Sequence, residues 1–95
     1  MPDSEQFGLR KQMRRAAVSV PSNIAEGHGR HSRADYLKHL RIARGSLAEL
    51  ATQMELAMNL DMIRRDQELE ALLEESDRIL QGLIRALEKK TAESG

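Results

Sequence analysis

The 95-residue sequence lacks several residue types on which small proteins often depend. It has no cysteine, which excludes a disulfide framework and a thiolate metal site. It has no tryptophan, one phenylalanine (Phe7) and one tyrosine (Tyr36), so the core must be built from aliphatic side chains and methionine. No apolar stretch approaches the roughly 20 residues of a membrane-spanning helix, and no secretory signal precedes the first helix. We therefore expect a cytoplasmic protein without a membrane partner.

The residues that are abundant, above all Ala, Leu, Glu, Arg and Gln, favour helix. Apolar residues recur at spacings of three and four, which predicts three helices over about residues 4–26, 32–59 and 66–90. The polar residues 91–95 are expected to form a disordered tail of the single domain 1–95. Long amphipathic helices with short connections predict an all-α fold, an antiparallel up-down helical bundle.

Several residues are suited to mark the ends of these helices. Asp3 or Ser4 can cap the first helix, and Asp66 the third. Ser32 can cap the second, with Asp35 three residues later in a variant of the capping box. In the connector between the last two helices, we expect Met62 and Ile63 to tuck under the bundle.

Pro21 lies inside the apolar pattern of the first helix, where proline usually breaks a helix. Ile24 nevertheless stays in phase with Val20, which predicts one kinked helix that continues to about Glu26. Gly27 and Gly29 then offer the permissive backbone that a helix end requires.

The neutral net charge conceals an asymmetry between the two halves of the chain. Residues 1–50 carry nine Lys and Arg against five acids, a net charge of +4, and residues 51–95 carry six against ten, a net charge of −4. The basic half could bind a polyanion, or the acidic half of a neighbouring copy. The candidate nucleic-acid-binding residues are Arg10, Lys11, Arg14, Arg15, Arg30 and Arg33. They would bind phosphates in a salt-dependent, sequence-independent manner, or form only a solvated face; no stacking aromatic is interleaved with them.

A second group of polar residues borders the apolar stripe of the first helix and is expected to form hydrogen bonds to a neighbouring helix or subunit. Its members are Gln12, Ser19, Asn23 and Glu26. Arg44 projects on the apolar side of the second helix, where a buried guanidinium needs a partner. We predict an Arg44–Glu26 pair that locks the hinge around Pro21 and Gly27 to the second helix. Glu49 is the second candidate partner, and a side chain that extends to solvent is the alternative.

Small residues form a further lane on the second helix, at Gly45, Ala48 and Thr52. This lane would permit a close approach of another helix, either within the bundle or across a subunit contact.

Catalytic and metal sites are not indicated. His31, Asp35 and His39 have helical spacing, but His31 precedes the helix and no third firm ligand completes a site. Ser19, Ser22 and Ser46 have no histidine at helical spacing, and no glycine-rich phosphate loop follows a strand. We expect no cofactor, no small-molecule substrate and no enzymatic activity.

Two separated motifs resemble a known family. The first joins Gly8, Leu9 and Gln12 to the run Arg14 to Gly27 (RRAAVSVPSNIAEG), and the second is Ile42 to Leu50 (IARGSLAEL). In this order and spacing they resemble the four-helix-bundle family named for the intervening sequences of 23S ribosomal RNA genes, to which the accessory protein of diversity-generating retroelements also belongs. The resemblance implies a bundle that forms a ring-like homo-oligomer, typically a pentamer. It also implies that a first helix ahead of residues 1–8 is missing from this chain.

Two functions are consistent with these features. One is a non-catalytic, homo-oligomeric scaffold or adaptor that engages RNA, DNA or a nucleic-acid enzyme through its basic half. The other is a protein-interaction module whose open apolar groove accepts a partner's helix without nucleic-acid binding. A helix-turn-helix DNA reader is disfavoured, because its second helix would be compact rather than nearly thirty residues long.

Overall fold

The computed structural model of the protein describes the backbone of residues 2–94 and the side chains of residues 7–93. Its three helices are α1 (Pro2–His28), α2 (Arg33–Asn59) and α3 (Gln67–Ser94). No strand occurs within residues 2–94. The predicted all-α class and the three consecutive helices are confirmed.

Pro21 lies inside α1, which continues past it to His28. Proline has no amide hydrogen, so the helix loses one backbone hydrogen bond there. The apolar phase that connects Val20 with Ile24 is maintained, since both side chains pack against the core. The prediction of one helix through Pro21 is confirmed.

Local capping defines two of the helix starts as predicted. The Ser32 hydroxyl accepts a hydrogen bond from the Asp35 amide at 3.3 Å, and one Asp66 carboxylate oxygen accepts from the Leu69 amide at 3.1 Å. Each side chain satisfies an amide that the first helical turn leaves without an intrahelical partner. The predicted caps Asp3 and Ser4 lie outside the residues whose side chains are described.

The end of α2 is closed by backbone hydrogen bonds around Asp61. The Met62 amide donates to the Ala57 carbonyl at 2.9 Å, and the Asp61 amide donates to the Met58 carbonyl at 3.1 Å. Asp61 itself adopts a φ of 57°, so a non-glycine residue occupies the left-handed position of a Schellman motif. The turn leaves Met62 and Ile63 partly buried, as predicted.

The predicted disordered tail is wrong for residues 91–94, because α3 runs to Ser94. Lysine, alanine and glutamate at its end have good helix propensity, and no glycine or proline interrupts them before Gly95. The Thr91 hydroxyl donates to the Leu87 carbonyl at 2.9 Å, a bond that is compatible with the helix. Gly95 lies outside the described residues.

The central helix is α2, with α1 packed on one side and α3 on the other. Within residues 2–94, no Cα atom of α1 lies within 8 Å of a Cα atom of α3. The radius of gyration is 15.8 Å, compared with about 12 Å for a compact domain of this length. The three helices therefore form a flat layer.

Apolar residues of α2 and α3 form the main core cluster, to which α1 adds Val20 and Ile24. The cluster consists of Leu37, Leu40, Ala43, Leu47, Leu80 and Ile84. Leu40 is fully buried at its centre. In the described part of the chain, no helix is long and apolar enough to cross a membrane.

Gly27 sits at a close approach of α1 and α2. A Cβ atom built on it would lie 2.8 Å from the His39 Cβ and 3.0 Å from the Tyr36 Cδ1. Gly27 is helical and has no positive φ. The sequence predicts it as a helix-ending residue, and this is wrong: its role is to let two helices come together.

Candidate interaction surfaces

Four cations share the outward side of α1, opposite the side that packs on α2. They are Arg10, Lys11, Arg14 and Arg15, and all four side chains are exposed. Their spacings of one, three and four residues keep them on one continuous helical face. Among the side chains of residues 7–93, no carboxylate forms an ion pair with any of them. We call this group the basic face.

The other two candidate cations, Arg30 and Arg33, lie at the far end of α1. Fifteen residues separate Arg15 from Arg30, which corresponds to about 22 Å along a helix. Arg30 also forms an ion pair with Glu26, one helical turn away. These two cations therefore do not extend the basic face but form a separate group at the α1–α2 turn.

Two exposed apolar side chains lie on the same side of α1 as the basic face. Phe7 is 72 % exposed and Val18 is 61 % exposed. They are eleven residues apart, about three helical turns, so they point in the same direction, and Phe7 is one turn from Arg10 and Lys11. Phe7 therefore borders the basic face at its N-terminal end, although no aromatic residue lies between the cations themselves. The sequence places Phe7 three, four and seven residues before Arg10, Lys11 and Arg14, and this helical spacing already predicts a shared face.

The polar residues beside the apolar stripe of α1 divide into two pairs. Ser19 and Asn23 reach α2, as predicted: Ser19 Oγ is 2.8 Å from Ser46 Oγ, and Asn23 Oδ1 is 3.1 Å from His39 Nδ1. The Asn23 amide group donates to the Ser19 carbonyl at 2.9 Å. This leaves Asn23 Oδ1 as an acceptor, so His39 donates through Nδ1.

Gln12 and Glu26 do not bridge the helices. Both side chains are exposed, and Glu26 accepts a hydrogen bond from Arg30. The hinge around Pro21 and Gly27 is therefore attached to α2 through Asn23 and through the close approach at Gly27.

The predicted Arg44–Glu26 pair is wrong. Arg44 Nε donates to Asp77 Oδ1 of α3 at 3.1 Å, and the Arg44 side chain is 47 % exposed. Its position on α2 faces the seam with α3, whereas α1 and Glu26 lie on the other side of α2. Asp77 is the partner that sequence reasoning missed.

Ion pairs between α2 and α3 neutralise much of the charge asymmetry within one chain. Arg41 donates to Glu88 at 2.6 Å, beside the Arg44–Asp77 pair. At the connector, Arg65 pairs with Glu55 at 3.4 Å and with Glu70 at 3.1 Å. The hydrogen bond and the charge of Glu55 raise the pKa of Arg65 above its ordinary value. Acids of α3 thus form ion pairs with arginines of α2 and of the connector.

A groove of about 760 Å³ opens between α2 and α3, towards the connector. Leu47, Ala51, Met54 and Leu73 contribute apolar lining. Charged residues of both signs also line it: Arg41, Arg44, Arg78, Glu55, Glu70, Glu74 and Asp77. Gly45 and Ala48 of the small-residue lane both line the groove, and a Cβ at Gly45 would meet no atom within 4 Å. Within the described chain, no helix approaches that lane at Gly45.

A second apolar surface lies on α3, beside the residues that it buries against α2. Leu72 is 59 % exposed, Ile79 is 62 % exposed and Leu83 is 36 % exposed. Their spacings of seven and four residues align them in a stripe. We call them the α3 stripe; no other helix within residues 2–94 covers it.

The three histidines lie in different environments. His39 bonds to Asn23, and His28 makes an edge-on ring contact with Tyr36 at 6.0 Å between centroids. His31 is exposed in the turn between α1 and α2. Among the described residues, no group of three or more potential ligands could hold a metal ion.

Comparison with known proteins supports the resemblance carried by the two sequence motifs. No curated protein matches the chain. A family model described as 23S rRNA-intervening sequence protein matches residues 1–85 of the 95 residues. Both motifs fall within the matched range, and the helical structure is compatible with it. The chain therefore belongs to the 23S rRNA-intervening sequence protein family.

Proposed function

We propose that this protein is a non-catalytic, homo-oligomeric scaffold or adaptor that engages nucleic acid through the basic face of α1. The observation that carries the proposal is a contrast in charge pairing. Arg41 and Arg44 of α2 are paired with acids of α3, whereas the cations of the basic face are exposed and form no ion pair with a described residue. A phosphate chain is a natural partner for such a group of cations.

The assembly part of the proposal is supported by the flat layer. A three-helix layer buries less apolar surface than a closed bundle, and the α3 stripe remains exposed in a single chain. A second copy of the chain is the occupant that we propose for this stripe, and a ring of five copies is the assembly that the family resemblance suggests.

The proposal is tested by light scattering for the mass of the assembly, together with titration of labelled nucleic acid at 50 and 200 mM salt. Four phosphate contacts predict a loss of affinity of about 100-fold between these conditions for a duplex. The variant Arg14→Ala/Arg15→Ala should lower the slope of log affinity against log salt by about 2.

The matched control is Lys89→Ala/Lys90→Ala, which removes two exposed cations from α3 instead. This control should leave the affinity and the salt slope nearly unchanged. A monomer that ignores nucleic acid at low salt would refute the proposal, and so would equal losses in the two double variants.

The groove between α2 and α3 favours a second candidate function, a protein-interaction module that accepts an amphipathic helix of a partner. Its apolar lining and rim of both charges suit a helix with an apolar face bordered by charged residues. Ala51→Glu would place a charge in the groove. Loss of partner binding in this variant, with no nucleic-acid binding by the parent chain, would favour the second candidate over the first.

A further inference from the structure

Among the side chains of residues 7–93, Phe7 is the most exposed large apolar one, at 72 %. It lies one helical turn from Arg10 and Lys11 and two turns from Arg14, on the same side of α1. An aromatic ring beside several cations that form no ion pair with a described side chain combines the two features that single-strand binding uses, a charged track for the phosphates and a flat surface for a base.

We infer that the basic face binds single-stranded nucleic acid and that the Phe7 ring stacks on one of its bases. The inference rests on the proposed nucleic-acid function and names the class of ligand. Arg10, Lys11 and Arg14 would contact the phosphates on either side of the stacked base.

The chemistry of the ring favours a single strand over a duplex. In a duplex the bases stack on one another and present only their edges in the grooves, and these edges are recognised by hydrogen bonds. A phenyl ring has no hydrogen-bonding group to offer. In a single strand the base faces are free, and stacking on an aromatic side chain tolerates any base.

The arrangement of apolar residues argues against an anionic membrane as the partner of this face. A helix that lies in a membrane surface needs a continuous apolar side. Here Phe7 and Val18 are separated by about 16 Å along the helix, with cations between them. The remaining apolar side of α1, including Val20 and Ile24, packs against the core.

The decisive experiment uses Phe7→Trp, which gives the chain its only tryptophan. A mixed-sequence single-stranded RNA should quench the tryptophan emission on binding, and the same sequence as a duplex should quench it much less. Anionic phospholipid vesicles serve as the competing probe. A blue shift with vesicles and no quenching by RNA would overturn the inference.

Affinity measurements with Phe7→Ala complete the test. We expect the affinity for single-stranded RNA to fall by about tenfold and the affinity for the duplex to stay the same. Val18→Ala is the matched control, because it trims an equally placed exposed apolar residue that cannot stack, and it should have little effect.

The outcomes separate this inference from the proposed function. If Arg14→Ala/Arg15→Ala weakens binding but Phe7→Ala does not, the stacking role is refuted and nucleic-acid binding stands. Equal affinities of the parent chain for single strand and duplex would refute the ligand class alone. If the parent chain binds neither, the proposed function and this inference both fail. Circular dichroism should show unchanged helix content in all variants, since the substituted side chains are exposed.

Discussion

At the scale of single residues, the absence of a side chain at Gly27 determines how closely α1 approaches α2. The atom nearest to an added Cβ is the His39 Cβ at 2.8 Å, which is attached directly to the backbone and cannot rotate away. Gly27→Ala should therefore lower the free energy of unfolding by about 1–3 kcal/mol, because the two helices must separate slightly. Urea denaturation monitored by circular dichroism measures this change.

Gly45→Ala is the matched control for that prediction. Gly45 is also inside a helix, but a Cβ there would meet no atom within 4 Å. The substitution should raise the free energy of unfolding by about 0.5–1 kcal/mol, because alanine loses less conformational entropy in a helix than glycine does. If both variants shift stability in the same direction, steric contact at Gly27 is not the cause of its effect.

Residue roles that depend on nearby sequence were predictable, and those that depend on another helix were not. Ser32 and Asp66 cap amides only three residues away, so their roles can be read from the local sequence. The residues around Gly27 in the sequence are the same whether this glycine ends a helix or lets a neighbouring helix pack closely against it. Only the distance to His39 distinguishes these cases, and that distance is set by how α2 packs.

At the scale of helices, periodicity predicted which side of each element is apolar but not which element lies beside it. The phase from Val20 to Ile24 correctly carried α1 through Pro21. The same reasoning placed Arg44 on the inner side of α2 and then assigned it the wrong neighbour. Its position faces Asp77 of α3, and the order of helices around α2 follows from packing between distant segments.

The Arg44–Asp77 pair provides a prediction at this scale. Arg44→Ala should lower the free energy of unfolding by no more than about 1 kcal/mol, because both side chains are partly exposed and solvent screens the pair. A double-mutant cycle of Arg44→Ala with Asp77→Ala, measured by thermal unfolding at low salt, should give a favourable coupling that shrinks at high salt.

The control is a second cycle that combines Arg44→Ala with Glu26→Ala. Glu26 pairs with Arg30, so its coupling to Arg44 should be zero within error. A measurable Arg44–Glu26 coupling, with none between Arg44 and Asp77, would contradict the observed pairing of α2 with α3.

At the scale of the whole molecule, the α3 stripe is the feature that bears on assembly. Ile79→Lys/Leu83→Lys replaces two exposed apolar residues with charges that a subunit contact would have to bury. We expect this double variant to be monomeric by light scattering under conditions in which the parent chain is oligomeric. Helix content should be retained, because both positions lie outside the buried core cluster.

Leu56→Lys/Leu60→Lys is the matched control for assembly. These residues are 48 % and 57 % exposed and belong to the last turn of α2 and its C-cap, not to the α3 stripe. The control should leave the mass of the assembly unchanged. An oligomer that persists with charges at Ile79 and Leu83 would show that copies meet through another surface.

Because no Cα atom of α1 lies within 8 Å of one of α3 in residues 2–94, the chain is joined mainly by two seams, α1 with α2 and α2 with α3. A local fluctuation that detaches one outer helix should therefore leave most of the other seam intact. Amide protons of α2 should be the last to exchange with solvent, since both seams must open to release them. A pulling force applied to the basic face would therefore detach α1 from α2 first, and the α2–α3 hairpin would stay packed.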